Sequence, residues 1–141
     1  MPEDALAVGS SRGNVKNAVE LLDLSTWTWE TKTPYPYDSE VFYASAIYVG
    51  KRFMVFGGNG STLFSRIVAY NPSTDEWTTE GNLLTPRERP GVITVGDEFL
   101  IIGGDMNSSD EQSSEKCKYH SDLMECAYQN PTEPFGTKFT N

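Results

Sequence analysis

Short apolar runs, each closed by glycine or by a polar turn, recur along the chain. The middle third shows the pattern best. Residues 44–49 are rich in small and β-branched side chains, Gly50-Lys51 is a Gly-X pair, and residues 53–56 form a second apolar run. Two such runs split by a Gly-X pair predict a tight β-hairpin. Gly96-Asp97 sits in the same setting further on. Both runs are nearly all apolar instead of alternating, which predicts strands covered on both faces. Gly57-Gly58 then lets the backbone leave the strand through angles closed to other residues. A polar loop follows, then a strand over 66–70, an Asx/Pro turn at 71–75, and a strand over 76–79. The predicted unit is a four-stranded antiparallel meander.

That unit repeats. Residues 43–58 align with 89–104 without a gap at an offset of 46. At an offset of 48, Trp29 falls on Trp77, Leu22 on Tyr70, Asp23 on Asn71, Gly9 on Gly57 and Ser10 on Gly58. A third copy aligns at an offset of 49, placing Tyr119 on Tyr70 and Cys126 on Trp77. A meander with two apolar faces cannot bury both alone, so these units must stack on one another.

Glycine doublets (Gly57-Gly58, Gly103-Gly104), each followed by a tyrosine (Tyr70, Tyr119), and the Tyr70-x6-Trp77 spacing resemble the kelch repeat, as does Thr85-Pro86-Arg87 ahead of the third unit. The resemblance covers roughly residues 5–130. Departures are Ser10 at the second glycine of the first doublet, Leu22 at its tyrosine and Cys126 at the last tryptophan. It implies an all-β fold made of four-stranded antiparallel meander blades of a kelch-type β-propeller, incomplete at about 2.7 blades, since closure takes four to eight. The expected division is a stub at 1–4, a partial blade with strands two to four at 5–33, a blade at 34–84, a blade with a cysteine hairpin at 85–130, and a tail or linker at 131–141. Such an arc would be a piece of a longer propeller. The resemblance also makes Gly57, Gly58, Tyr70, Trp77, Gly103, Gly104, Tyr119 and Trp29 the structural positions, with Trp29 and Trp77 expected to bury their indoles between blades.

Cys117 and Cys126 fall in one predicted hairpin, Cys117 on the strand of Tyr119 and Cys126 at the start of its partner. Opposed residues of an antiparallel pair lie ~4.5–5.5 Å apart, within disulfide range. A structural staple there would imply an oxidising, extracellular compartment; two buried thiols in a cytoplasmic protein are the alternative. The sequons at Asn59 and Asn107 each follow a glycine doublet and are glycosylation candidates, although Asn-Gly-Ser is also simple turn chemistry.

Charge narrows the partners. Twenty acidic against eleven basic residues give a net charge of −9, which disfavours nucleic acid and an anionic membrane surface. No run approaches the ~18 apolar residues of a membrane span. No catalytic set emerges: His120, the one histidine, falls at a turn, and no Gly-x-Ser-x-Gly occurs. The acidic stretch 105–115 lacks the turn glycine and bidentate Glu of a calcium loop. The copper radical oxidases among kelch-like propellers need more histidine ligands than this chain holds. No metal or cofactor is expected. Arg87 and Arg89, flanking Glu88, are expected in a blade-to-blade salt bridge or a solvated linker. The expected function is a non-enzymatic protein-interaction scaffold, probing a protein partner through loops 59–65 and 105–115. An intracellular kelch adaptor, like BTB-kelch ubiquitin-ligase substrate receptors, and a propeller enzyme remain the alternatives.

Overall fold

The computed structural model describes residues 4–8, 17–37, 41–106 and 113–129. These residues form strands and no helix. β1 (Asp4–Val8), β2 (Val19–Asp23) and β3 (Thr28–Lys32) make a three-stranded antiparallel sheet. β4 (Ser45–Val49), β5 (Arg52–Phe56), β6 (Arg66–Asn71) and β7 (Glu76–Asn82) form a complete meander. β8 (Gly91–Val95), β9 (Glu98–Ile102), β10 (Ser114–His120) and β11 (Leu123–Gln129) form another. The architecture is an incomplete β-propeller.

Local chemistry accounts for the hairpins. Gly50 and Lys51 both take positive φ, as a two-residue turn between twisted strands requires. Asp23 Oδ1 accepts from the backbone N–H of Ser25 (2.7 Å) and Thr26 (3.2 Å), and Asn71 Oδ1 from that of Ser73 (2.9 Å). These are the Asx turns expected of their types.

A parallel bridge of Met124 to Gly81 ties β11 to β7 and makes the two meanders one eight-stranded sheet. Its halves, called the second and third sheets, stack face to face, as the first sheet stacks on the second. Between the first two sheets, Val19 and Leu21 pack with Phe53, Val55, Val68 and Tyr70. Between the second and third, Met54, Phe56, Ile67 and Ala69 meet Phe99, Ile101, Cys117 and Met124. Fully burying one such side chain contributes about 1.5–3 kcal/mol, so these two seams carry most of the fold's stability. The same positions are reused: Val19 and Leu21 of β2 correspond to Ile67 and Ala69 of β6, and each pair faces the following sheet.

Three expectations need correcting. β5 is buried along both faces, but β4 and β8 are not, because each is an edge strand paired on one side only. Tyr119 faces Met124, not Cys126, across the β10–β11 hairpin. The turn there spans residues 121–122, two fewer than the turn at 72–75, so the 49-residue offset fails beyond it. Met124, 2% exposed, therefore fills the place Trp77 holds in the preceding sheet, and Cys126 lies within β11 instead of opening it. Trp29, lastly, is 55% exposed. It pairs with Leu22 on the side of β2 away from the second sheet, where no described sheet covers it.

Candidate functional site

Loop 59–65 and residues 105–106 of the second loop come together beside the linker that joins the second and third sheets. Gly57 and Gly58 have φ of 63° and 107°, and Gly103 and Gly104 of 59° and 91°. A Cβ on Gly57 would collide with the Arg87 carbonyl oxygen, and one on Gly104 would come within 2.6 Å of that of Glu88. The doublets are thus needed both for conformation and for the close approach of the linker.

Through that approach the backbone is zipped crosswise. Phe42 and Asn59 exchange two hydrogen bonds of 2.8 Å, and Glu88 and Asp105 exchange bonds of 3.1 and 2.9 Å. Gly58 N–H donates to Arg87 O at 2.7 Å, and Arg87 N–H to Phe64 O at 3.0 Å. An open pocket of about 300 Å³ lies over this zip, lined by Asn59, Thr62, Leu63, Glu88, Asp105 and Met106. Asn59 Nδ2 donates to Glu88 Oε2 at 2.9 Å, so the sequon amide is already engaged. Asn107 and residues 107–112 of the second loop lie outside the described residues, as do Gly9, Ser10 and the tail at 131–141. Arg89 pairs with Asp105 at 3.1 Å with both side chains exposed, and its guanidinium lies 3.8 Å from the centre of the Tyr43 ring. The pocket thus presents carboxylates, an amide and two apolar side chains.

Under the pocket lies a group the sequence reading only half anticipated. Arg87 and Glu115 are both fully buried and paired at 2.8 Å. Arg87 also donates to Gly103 O (2.9 Å), Ser113 O (2.8 Å) and Ser113 Oγ (2.8 Å). Glu115 in turn accepts from the backbone N–H of Leu84 and Thr85. This pair bolts the linker to β10. The Thr85-Pro86-Arg87 resemblance marked Arg87, but nothing marked Glu115 within the polar run at 113–116.

Elsewhere the repeat positions serve the seams. Tyr70, wholly buried, donates through its hydroxyl to Asp75 Oδ1 at 2.8 Å. Asp75 also accepts from Thr33 N–H at 2.9 Å, while Trp77 Nε1 donates to Thr33 O at 3.0 Å. The Thr33 N–H bond, then that of Tyr70, holds the Asp75 carboxyl below its usual range, and burial pushes the Tyr70 phenol up. Pairing between β6 and β7 slips between Ile67 and Val68, leaving Glu80 as an extra, inward-turned residue. Glu80 ion-pairs with Arg52, whose Nη2 donates to Tyr119 Oη at 3.0 Å across the seam. Neither Arg52 nor Glu80 carried a sequence signal, because a bulge has none.

Cys117 and Cys126 are directly opposed on β10 and β11 and form a disulfide, with Cα atoms 4.1 Å apart. His120 ends β10 in solvent. Among the described residues, no group of three or more His, Cys, Asp or Glu side chains could hold a metal ion. Nor is any helix there long and apolar enough to cross a membrane.

No protein-family model matches the chain. It is 30% identical over 108 residues to acyl-CoA-binding domain-containing protein 5 of Arabidopsis thaliana, covering 70% of this chain and 16% of that protein. It is 27% identical over 103 residues to Kelch-like protein 15 of Homo sapiens, covering 67% and 17%. Among solved structures, that of YjhT superposes with a TM-score of 0.72 at 14% identity, over 92% of this chain and 48% of that one. The chain thus spans about a sixth of these curated relatives and about half of the solved propeller, and it is similar to kelch-like proteins in sequence and propeller-like in fold.

Proposed function

We propose that the chain is part of a kelch-type propeller and acts as a non-enzymatic, protein-binding scaffold outside the cell. The observation that carries the scaffold reading is the shared pocket of loops 59–65 and 105–106. The linker zip fixes both loops on stacked sheets, and a rigid base presenting polar loops is a general recognition device. The opposed Cys117–Cys126 disulfide supports the oxidising compartment. A net charge of −9 and the carboxylates of Glu88 and Asp105 favour a basic protein surface as the partner.

A photo-crosslinking residue placed at Thr62 tests this, with one at Ser73 in the β6–β7 turn as control. Protein adducts formed from Thr62 and absent from Ser73 are expected. Equal labelling at both positions refutes the site. An intracellular kelch adaptor is the second reading, favoured by the similarity to Kelch-like protein 15. Thiol titration of protein from its native source, without reductant, separates the two: no free thiol supports the extracellular reading, and two free thiols select the adaptor. Copper bound stoichiometrically to that protein would instead revive a propeller enzyme.

A further inference from the structure

The seam between the first two sheets holds an arginine with no acid to answer it. Arg66 opens β6, on the side of that strand that carries Val68 and Tyr70 toward the first sheet. Its guanidinium carbon lies 3.9 Å from the centre of the Tyr37 ring and 3.8 Å from that of Phe64. Two rings that close to one carbon can only cover its opposite faces, so the group is clamped flat between them. Its inner end is sealed. Arg66 Nη1 and Tyr35 Oη are the two buried side-chain donors without a hydrogen-bond partner among the described residues, and Tyr35 as a whole is 1% exposed. Burial pushes the Tyr35 phenol up, and the Arg66 charge is near enough to oppose that push. Arg66 Nε and Nη2 have no partner there either, but they are not sealed. The clamp therefore presents one N–H fork at the surface.

The next seam shows what an arginine in this place takes. Strand pairing sets Val68 beside Val55 and Glu115 beside Ile101, and Val55 and Ile101 are equivalent at the 46-residue offset. Glu115 is thus the counterpart of Val68, and Ser113 that of Arg66. At the second seam the arginine arrives on the linker, as Arg87, and Glu115 neutralises it from within. At the first seam the arginine comes from β6, and the carboxylate's position holds Val68, wholly buried. Among the described residues no Asp or Glu pairs with Arg66. In a chain with twenty acidic residues and a net charge of −9, this one cation is left to be met from outside.

We propose that Arg66, held between Tyr37 and Phe64, is a binding site for a carboxylate supplied by another molecule. A carboxylate is planar and accepts from the Nε–Nη2 fork through two parallel hydrogen bonds. Lying in the guanidinium plane, it passes between the rings. Phosphate is tetrahedral and would set oxygens above and below that plane, against Tyr37 and Phe64. Two sources offer the group: a free small carboxylic acid, or the Asp or Glu side chain of a protein partner. Phe64 belongs to loop 59–65, whose Leu63 lines the pocket of Glu88 and Asp105, so one loop separates an acid-seeking edge from an acidic pocket. The site depends on neither the scaffold role nor the compartment.

Acetate titrated into the isotope-labelled full chain at constant ionic strength, with chloride as the balancing anion, tests this through the arginine Nε–H resonances. The Arg66 signal, identified by its loss in Arg66→Lys, should move saturably with a midpoint of about 1–20 mM. Inorganic phosphate should bind about tenfold more weakly. Arg66→Lys keeps the charge and loses the fork, so acetate should shift the Tyr37 and Phe64 backbone amides with about tenfold lower affinity. Tyr37→Leu opens one face and should bring phosphate to parity with acetate, a change that a simple point charge would not produce. A blocked Gly-Glu-Gly peptide separates the sources. Binding about tenfold tighter than acetate assigns the site to a protein side chain, and equal or weaker binding assigns it to a free acid; both uphold the carboxylate. No saturable shift up to about 200 mM acetate overturns the proposal. Equal binding of phosphate by the wild-type chain also overturns it, as does an Arg66→Lys response as strong as the wild type's. Should circular dichroism show that Arg66→Lys does not fold, the wild-type preference for acetate over phosphate, read at the Tyr37 and Phe64 amides, decides alone. None of these results touches the crosslinking test at Thr62.

Discussion

Replacing Glu115 by Gln tests what holds the linker to the third sheet. The substitution keeps shape and removes only charge. It leaves the Arg87 guanidinium fully buried, with neutral partners at Gly103 O, Ser113 O and Ser113 Oγ. It also replaces a carboxylate oxygen that accepts from Arg87, Leu84 or Thr85 with an NH2 that can only donate. Removing one partner of a buried ion pair costs about 3–5 kcal/mol. That is a large share of the roughly 5–15 kcal/mol that holds a domain folded. With a typical urea m-value of about 2 kcal/mol/M, the midpoint should fall by about 1.5–2.5 M at unchanged m. Arg87→Met/Glu115→Leu should lose less than the two single changes summed, because no charge is stranded, yet should not reach wild type while the Gly103 and Ser113 carbonyls lack their donor. A midpoint shift below about 0.5 M for Glu115→Gln, or simple additivity in the cycle, would refute the argument for a water-excluded, coupled pair.

Gly50 and Gly57 share nearly the same φ, 59° and 63°, but a Cβ meets nothing within 4 Å at Gly50 and strikes the Arg87 carbonyl at Gly57. Gly50→Ala should therefore cost about 1–2 kcal/mol in chemical denaturation, and Gly57→Ala clearly more; equal losses would show that the linker does not lie against the doublet. Reducing the disulfide, which closes a loop with a sequence separation of 9, should lower stability by about 2–3 kcal/mol in the loop-entropy account, read as a midpoint shift with and without reductant. Burial pushes the Tyr35 phenol up from 10.0 to about 12. The stabilising share of this group is fully present below pH 10 and is lost as pH rises through 12, since the unfolded chain gives up its proton first. Ultraviolet titration of phenolate should show late-ionising tyrosines, one fewer of them in Tyr35→Phe, with the one at Tyr70 remaining. Asp75, held below its ordinary 3.8, acts in the opposite sense: its contribution is present above that value and fades as pH falls beneath it, so Asp75→Asn should flatten the acid limb of the stability curve.

Much of this molecule follows from local sequence. Gly50-Lys51, the Asx turns at Asp23 and Asn71, and the glycine doublets each specify backbone conformation within a few residues. Their recurrence at nearly constant spacing implies stacked meanders. The two cysteines were legible for the same reason, since a hairpin places opposed residues together whatever surrounds it. Misreadings arose where spacing changed or the environment did: a turn two residues shorter put Met124 opposite Tyr119, and the outward position of the first sheet left Trp29 in solvent.

Which charges are buried was decided by the tertiary structure. Arg87 stands out along the chain only through the Thr85-Pro86-Arg87 resemblance, and Glu115, Arg52 and Glu80 look like ordinary surface residues. Arg87 and Glu115 become a buried pair because a linker crosses a doublet, and Glu80 is buried against the half-buried Arg52 because one extra residue in β7 turns a carboxylate inward. Backbone preference is a property of neighbours in sequence and can be read there. Desolvation depends on what arrives from tens of residues away, and that appears only when the sheets are stacked.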